Sequence, residues 1–285
     1  MRSASDTPTA TEIHDRVDAA LRRFLDERRA AIGAIDASAT LLVDEIRRLV
    51  DAGGARLRPA FCYWGFRAAG GADGDPIVRA AAALELLHTF ALIHDDLVDG
   101  SRERRGVASS SAHLAQAASL PEGGAALALL AGDLATVLAD ELLLTSGFAA
   151  EVLVPALAHY HRMRTEMAAG QMLGLIGEAP VGERAVRRAA ALKGGGYTVE
   201  GPLVIGAALA STAPDVHTAL VRFGAPLGEA FQLRDDLADD DAASEVTPAL
   251  VDSLVDEAIH ALDDAPLDPT AASALRALAA SLRPT

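Results

Sequence analysis

The stretch LELLHTFALIHDDLVD, residues 84–99, decides the fold, because it forms the end of a long apolar helix and finishes in three aspartates. The helical pattern starts at about Pro76 and is nearly all apolar up to the acidic residues, so this helix is expected to be buried on most sides. Asp95 and Asp99 lie four residues apart, which places both carboxylates on one helical face, with Asp96 beside them. Carboxylate oxygens suit Mg²⁺, particularly when substrate phosphates complete its coordination. A solvated acidic helix end would explain one such motif taken alone.

A second acidic motif, FQLRDDLAD at residues 231–239, repeats the arrangement about 140 residues later, again after an apolar helical run. Asp235, Asp236 and Asp239 have the spacing of the first motif. Two such helices facing each other would form an acidic cleft that holds several Mg²⁺ ions, whose natural ligand is a diphosphate. Metal charge offsets the charge of a leaving group, so the cleft could ionise a carbon–oxygen bond.

Basic residues near the first motif fit the same chemistry. Arg104 and Arg105 follow it within a short loop, and Arg56 and Arg58 lie beside the Gly53–Gly54 pair. Arginine side chains bind phosphate oxygens in a bidentate manner. Each arginine taken alone could equally be ordinary surface charge.

Composition favours helices over sheets. The 285 residues are 51% hydrophobic but only 4% aromatic, and they are rich in alanine and leucine. No segment alternates with the period of a strand. We expect a disordered segment over residues 1–10, then a single all-α domain over 11–285 in which Gly194–Gly196 is a turn. The predicted helices are 11–32, 38–50, 76–99, 123–146, 148–177, 183–193, 198–211, 214–239, 247–263 and 268–282.

Charge and cysteine content exclude several classes of protein. A net charge of −15 argues against nucleic-acid binding, which needs a basic face. The single cysteine, Cys62, excludes a disulfide within the chain. No secretory signal opens the sequence, and the apolar stretch 125–139 is too short to span a bilayer. These features predict a cytoplasmic protein without stable membrane insertion.

Taken in order, the motifs resemble the trans-isoprenyl diphosphate synthase (polyprenyl synthetase) family over about residues 40–240. The matching segments are GGARLRP at 53–59 for the family's G-G-K-R-x-R-P, the first aspartate-rich helix at 84–99, R-R-G at 104–106, Gly132–Leu134, Gly170–Gln171, Tyr197–Glu200 and the second aspartate-rich motif at 231–239.

This resemblance implies an isoprenoid-synthase-type helical bundle around a central cavity, usually homodimeric. It implies a short-chain synthase that joins an allylic diphosphate to isopentenyl diphosphate and makes farnesyl or geranylgeranyl diphosphate. The implied Mg²⁺ ligands are Asp95, Asp96, Asp99, Asp235, Asp236 and Asp239.

The resemblance also implies roles for residues around the metals. Lys193 and Arg104 would contact the phosphates of the allylic substrate. Isopentenyl diphosphate would bind at Arg58, His88 and Arg105, although a histidine on an apolar helix is more often a core residue than a ligand. Gln171 and Gln232 belong to the matched substrate-binding motifs. Phe90, five residues before Asp95, would limit the product to a short chain.

Several positions depart from the family pattern. Ala55 and Gly174 stand where the family has lysine and aspartate, Gly194 replaces a threonine or serine, and Ala108 replaces a proline. After the second motif, the family's G-K-P and D-L-R-E-G-K-(K/R)-T elements and a further helical segment are absent, so the C-terminal part is shortened. Loss of that segment would threaten the exclusion of water from the site.

Two other functions stay open on the sequence. A class I terpene cyclase needs diphosphate ionisation but no second substrate, and the altered isopentenyl diphosphate site fits that reading. A non-catalytic partner of an active synthase would fit the missing segment. The synthase-type second motif and the retained Arg58, His88 and Arg105 favour the prenyltransferase.

Overall fold

Helices make up most of the structure, a computed structural model that describes residues 8–104, 106–176, 182–210, 213–238 and 246–284. The all-α class predicted from the sequence is confirmed. The α-helices are α1 (Ala10–Ile35), α2 (Thr40–Asp51), α3 (Leu57–Ala68), α4 (Asp75–Val98), α5 (Ser110–Ala117), α6 (Gly124–Leu144), α7 (Ala150–Ile176), α8 (Glu183–Ala190), α9 (Gly201–Leu209), α10 (Pro214–Ala238), α11 (Pro248–His260) and α12 (Pro269–Ala280).

Shorter elements connect these helices. Single 3₁₀ turns precede α2 and α6, at Ala37–Ala39 and Pro121–Gly123, and a π-helix over Ala191–Glu200 joins α8 to α9. A two-stranded antiparallel hairpin pairs β1 (Glu103–Arg104) with β2 (Val107–Ala108).

The N-terminal helix begins at Ala10 because Thr9 caps it. The Thr9 hydroxyl accepts from the backbone N–H of Glu12, and the Glu12 carboxylate accepts from the backbone N–H of Thr9. Disorder was predicted for residues 1–10. Residues 1–7 lie outside the described residues, and Ala10 already belongs to α1.

Helices α3 and α5 and the β-hairpin are not predicted by the sequence pattern. Helix α3 carries consecutive buried side chains from Phe61 to Trp64, so it lacks the alternation of apolar and polar faces by which a surface helix is recognised. Helix α5 is only eight residues long, and each strand of the hairpin only two. Such short elements give almost no periodic signal.

The chain packs as two compact units. The first unit comprises Pro8–Pro59 and Val78–Gly147, and the second comprises Ala60–Ile77 and Phe148–Thr285. The first acidic motif belongs to the first unit and the second motif to the second unit. The predicted organisation as a single domain stays a prediction.

In the first unit, core side chains hold the end of α4 that carries the first acidic motif. Ile93 is fully buried in a cluster with Leu114 of α5 and Ala128 of α6, and Leu97 packs against it. These apolar residues alternate with the aspartates along the last turns of α4. The buried face therefore fixes the helix, with Asp96 buried beside it and Asp95 and Asp99 more exposed.

In the second unit, glycines let helices approach closely. A Cβ on Gly65 of α3 would collide with the backbone of Leu203 in α9, and a Cβ on Gly206 of α9 would collide with the carbonyl of Cys62. Helix α10 adds the buried side chains of Phe223 and Leu227 to this core.

Among the described residues, one helix, α4, is long and apolar enough to cross a membrane. Within the protein, 67% of its apolar window is buried, as expected for the core helix predicted from the sequence.

Candidate active site

The first acidic motif occupies the last turn of α4, with its aspartates in different environments. Asp96 is the buried one, with 7% of its side chain exposed, and its Oδ1 accepts a hydrogen bond of 2.8 Å from Arg104 Nε. Asp95 is half-buried and Asp99 is exposed. The helix ends at Val98, just before Asp99, and Gly100 then adopts a positive φ of 62°.

Arg104 reaches Asp96 because the β-hairpin turns the chain back immediately after α4. Arg104 lies opposite Val107 in the ladder, and Gly106 in the connecting turn has a φ of 78°, which favours glycine. Arg105, the other arginine predicted to bind substrate, lies outside the described residues. The R-R-G sequence thus contains a turn signal as well as two cations.

One turn before the first motif, two aromatic rings stack edge to face on α4. The ring centroids of Phe90 and His94 are 4.6 Å apart at an interplanar angle of 62°. His94 is accommodated by Gly132 of α6, where a Cβ would collide with its ring. His88, predicted to bind isopentenyl diphosphate, is half-buried two turns before the aspartates.

The two arginines of the glycine loop differ in burial. Arg56 is buried, and its three nitrogens donate to Asp18 (2.9 Å), Glu85 (2.7 Å) and the carbonyl of Val50 (2.7 Å). Burial alone would lower the Arg56 pKa, but Glu85 and Asp18 raise it above its usual value. Arg56 therefore links α1, α2 and α4 within the first unit, whereas Arg58, in the first turn of α3, is half-buried.

The second acidic motif occupies the last turns of α10. Asp236 Oδ1 accepts from Gln232 Nε2 at 2.8 Å and lies 3.5 Å from Lys193 Nζ. Arg234 pairs with Asp235 at 3.1 Å and lies over the ring of Phe231. The structure thus brings three predicted site residues of the second unit together, Lys193, Gln232 and Asp236, with Asp235 adjacent in sequence, whereas Asp239 lies outside the described residues.

Lys193 lies on the π-helix and contacts Asp236 from there. The three glycines that follow it, Gly194–Gly196, were predicted to form a turn. That prediction is wrong, because the glycines carry a continuous helix packed closely on its neighbours. A Cβ on Gly195 would collide with the backbone of Gly228 in α10, and the reverse holds for Gly228. A wide π-helical turn of this kind is rare and is often found at functional sites.

Two glycines make room close to Gln232 and Lys193, the residues that contact Asp236. A Cβ on Gly194 would collide with the side-chain oxygen of Gln232, so the glycine at this position gives Gln232 its space. A Cβ on Gly170 of α7 would collide with the carbonyl of Leu192, so α7 packs closely on the π-helix one residue before Gln171. The departure at Gly194 therefore has a structural reason in this chain.

The π-helix ends in a half-buried carboxylate, that of Glu200. In the sequence this residue belongs to the family-like Tyr197–Glu200 segment and has no role of its own assigned. Burial raises the pKa of Glu200, Arg162 lowers it, and Glu166 raises it further. Glu200 thus has a reduced tendency to ionise at the end of the element that carries Lys193.

The acidic residues are chemically suited to Mg²⁺. Their donors are all carboxylate oxygens, the ligand type that this hard cation prefers. Within the described ranges, no three histidine, cysteine or acidic side chains are grouped closely enough to enclose a metal. Mg²⁺ is commonly held by one or two carboxylates together with substrate phosphates, so the exposed Asp99 and its neighbour Asp95 fit this mode of binding.

Comparison with known proteins relates these motifs to one family. The polyprenyl synthetase family model matches residues 39–248. A short chain isoprenyl diphosphate synthase of Methanothermobacter thermautotrophicus is 32% identical over 222 residues, 75% of this chain and 62% of the relative. An octaprenyl diphosphate synthase of Escherichia coli is also 32% identical, over 69% of this chain and 57% of the relative. The chain thus spans about six tenths of the length of these relatives.

A solved structure matches nearly the whole chain. The geranylgeranyl pyrophosphate synthase of Corynebacterium glutamicum, crystallised with isoprenyl diphosphate and magnesium, superposes with a TM-score of 0.86 at 26% identity. The match covers 97% of this chain and 99% of that one. The fold, the order of the motifs and a family match over more than half of the sequence show that this chain belongs to the polyprenyl synthetase family.

Proposed function

We propose that this protein is a Mg²⁺-dependent prenyltransferase that condenses an allylic diphosphate with isopentenyl diphosphate. One observation supports this most strongly: in each acidic motif, the second aspartate of the pair has a basic partner. Arg104 forms an ion pair with Asp96, and Lys193 forms one with Asp236. Each cation comes from a different element than the aspartate with which it pairs. A merely solvated acidic helix end would not require a cation held there by a hairpin or by a π-helix.

The acidic residues would hold the metal. Asp95, Asp96 and Asp99 of the first motif, and Asp235, Asp236 and Asp239 of the second, are the proposed ligands. When bound, Mg²⁺ supplies positive charge that offsets the charge developing on the departing diphosphate. Among the described members, Asp99 is the most exposed and Asp96 the most buried, so we expect Asp95 and Asp99 to offer the metal the more accessible oxygens, while Asp96 also holds Arg104.

The basic residues would bind and orient the two substrates. Arg104 and Lys193 keep 34% and 49% of their side chains exposed, which leaves both cations accessible to an anionic ligand. We assign them to the allylic diphosphate, and we assign Arg58, His88 and Arg105 to isopentenyl diphosphate. Gln171 and Gln232 would orient the allylic diphosphate from the second unit.

The reaction balances with these two substrates alone. The carbon–oxygen bond of the allylic diphosphate breaks, and its electron pair leaves with inorganic diphosphate. The double bond of isopentenyl diphosphate supplies the electron pair for the new carbon–carbon bond, and loss of a proton restores a double bond. The protein aligns the two substrates and excludes water from the allylic carbocation that forms when the carbon–oxygen bond breaks.

The product is proposed to be short, farnesyl or geranylgeranyl diphosphate. Relatives of equal identity include a short-chain and an octaprenyl synthase, so similarity does not distinguish product lengths, and Phe90 is the residue that supports a short product. The ring of Phe90 packs edge to face on that of His94, and we propose that Phe90, held in this way, blocks a longer product. We expect Phe90→Ala to lengthen the product, measured by chromatography of the dephosphorylated alcohols. An unchanged chain length would contradict the assignment.

A homodimer is proposed from the exposed face of α6. Leu130, Val137 and Leu144 are exposed by 52%, 59% and 53%, and their spacing of seven residues places them in one stripe. An exposed apolar stripe of this kind is typical of a subunit interface. We further propose a cytoplasmic location.

Incubation of the purified protein with Mg²⁺ and each allylic diphosphate, with and without isopentenyl diphosphate, tests the proposed function. Elongated products only when both substrates are present support the prenyltransferase. A hydrocarbon from one substrate alone would identify a terpene cyclase. No product in any mixture would favour the partner of an active synthase, to be followed by copurification.

A further inference from the structure

A buried ionic cluster lies in the first unit, next to the hairpin. Its centre is Glu45 of α2, whose side chain is fully buried. Both Glu45 oxygens accept from Arg48, at 2.6 and 2.9 Å, and one of them also accepts from His113 Nδ1 at 2.6 Å. Burial alone would raise the Glu45 pKa, but Arg48, Ser110 and His113 hold it below its usual value.

Arg48 connects this cluster to the hairpin. Its Nη2 group donates both to Glu45 and to the carbonyl of Ala108 in β2, at 3.3 Å. Glu45 raises the Arg48 pKa through this hydrogen bond, and the charge of Asp96 raises it further. Arg48 is therefore a fixed cation that hydrogen-bonds the second strand of the hairpin and interacts electrostatically with Asp96 of the first acidic motif.

The hairpin needs such an anchor. A two-stranded ribbon of two residues per strand is at most marginally stable alone. In this hairpin Ala108 lies opposite Glu103, and the backbone N–H of Ser109 donates to the carbonyl of Arg102 at 2.9 Å. The contact of Arg48 with Ala108 therefore fixes the strand that pairs with the one carrying Arg104, and Arg104 in turn lies on Asp96.

We propose that Arg48 is a positioning residue for diphosphate binding, acting through the hairpin to hold Arg104 beside Asp96. This inference rests on the proposed function, because it takes the diphosphate as the ligand of Arg104. Lysine cannot replace Arg48 in this role, because a planar fork is needed to engage both oxygens of Glu45 while donating to a carbonyl.

The test compares Arg48→Lys with the wild type, in the wild-type background and in an Arg104→Ala background. We expect Arg48→Lys to raise the KM for the allylic diphosphate, and the dissociation constant for inorganic diphosphate with Mg²⁺, by about tenfold, as for one lost charge-assisted contact. The kcat should change less than twofold. In the Arg104→Ala background, Arg48→Lys should change neither constant by more than about twofold, since the residue through which it acts is gone.

Arg47→Lys is the matched control, because Arg47 directly precedes Arg48 on α2 and pairs with Asp26 at the surface. It should leave both constants unchanged. Equal tenfold effects of Arg48→Lys in both backgrounds, or no effect in either, would overturn the proposal.

Thermal unfolding of each variant shows whether a change in binding reflects loss of folded protein. If Arg48→Lys does not fold, Glu45→Gln provides the second variant, because it keeps the shape of the partner and weakens its hold on Arg48. The same rise in the diphosphate constants is then expected, and unchanged constants would refute the role of the cluster. Wild-type protein that binds inorganic diphosphate but does not elongate would instead count against the proposed function.

Discussion

Asp236 illustrates how single side chains organise the candidate site. It accepts a hydrogen bond from Gln232 on its own helix and lies beside Lys193, the only lysine of the chain. A carboxylate with two such donors is held in one orientation, ready to act as a ligand. The sequence predicted all three residues as site residues, and the structure brings them together.

Arg56 shows what a sequence motif leaves undecided. It stands two residues before Arg58 in the same sequence motif, and the motif makes both arginines candidates for phosphate binding. Its partners Asp18 and Glu85 are 38 and 29 residues away in sequence, so only the folded chain shows that Arg56 is buried in ion pairs. Long-range partners of this kind give no local signal.

Removing one carboxylate of either motif tests the metal assignment. We expect Asp95→Ala and Asp235→Ala each to lower kcat/KM at least about hundredfold, because metal-assisted departure of the diphosphate is lost. Steady-state elongation assays measure this effect. Asp215→Ala is the control, since Asp215 is an exposed aspartate in the first turn of the same helix as Asp235. Full activity of either motif variant would refute the assigned chemistry.

Among the elements, the long helices were predictable and the connections were not. Helix α4 ends at Val98, one residue before the predicted end, and α10 is described as far as Ala238. Their apolar runs and terminal acidic residues are local signals. The π-helix was mistaken for a turn because three successive glycines usually break a helix. Close packing against α10 overrides that preference, and the packing is visible only in the fold.

Alanine substitutions in the π-helix separate support of the site from support of the fold. In Gly194→Ala the new methyl group displaces only the flexible end of Gln232, so we expect lower activity with a stability change within about 1 kcal/mol. In Gly195→Ala the methyl group meets the backbone of Gly228, so a loss of about 2 kcal/mol or more is expected. Chemical denaturation and elongation assays measure the two effects.

Gly174→Ala in α7 is the control for these variants, because its Cβ would meet nothing within 4 Å. It should be neutral or stabilise the protein by up to about 1 kcal/mol, as alanine does in a helix interior. If Gly194→Ala were fully active, the role of this glycine in placing Gln232 would be wrong. Equal stability of Gly195→Ala and the wild type would contradict the close packing of the π-helix on α10.

At the scale of the whole molecule, composition predicted the helical class, and the order of motifs predicted the family. The net charge of −15 is partly explained by the two acidic motifs proposed to hold Mg²⁺. The division into two compact units was not predicted, because α3 and α4 each run across a boundary without any linker-like change of composition.

The oligomeric state tests the role proposed for α6. We expect a species of twice the chain mass of 29.4 kDa for the wild type by sedimentation velocity. Val137→Glu should shift the protein toward the single-chain mass, because a charge in the middle of the apolar stripe would have to be buried at the interface. Ile35→Glu, at an exposed site at the end of α1, is the control and should remain a dimer. A wild type that sediments as a single chain would contradict the homodimer.

The stoichiometry of diphosphate release tests the central claim most directly. Phosphate released by added pyrophosphatase is followed alongside consumption of labelled isopentenyl diphosphate, with an allylic diphosphate and Mg²⁺ present. We predict one inorganic diphosphate for each isopentenyl diphosphate consumed, and no release when isopentenyl diphosphate is omitted. Release at the same rate without isopentenyl diphosphate, or no release with both substrates present, would contradict the assignment of this chain as a prenyltransferase.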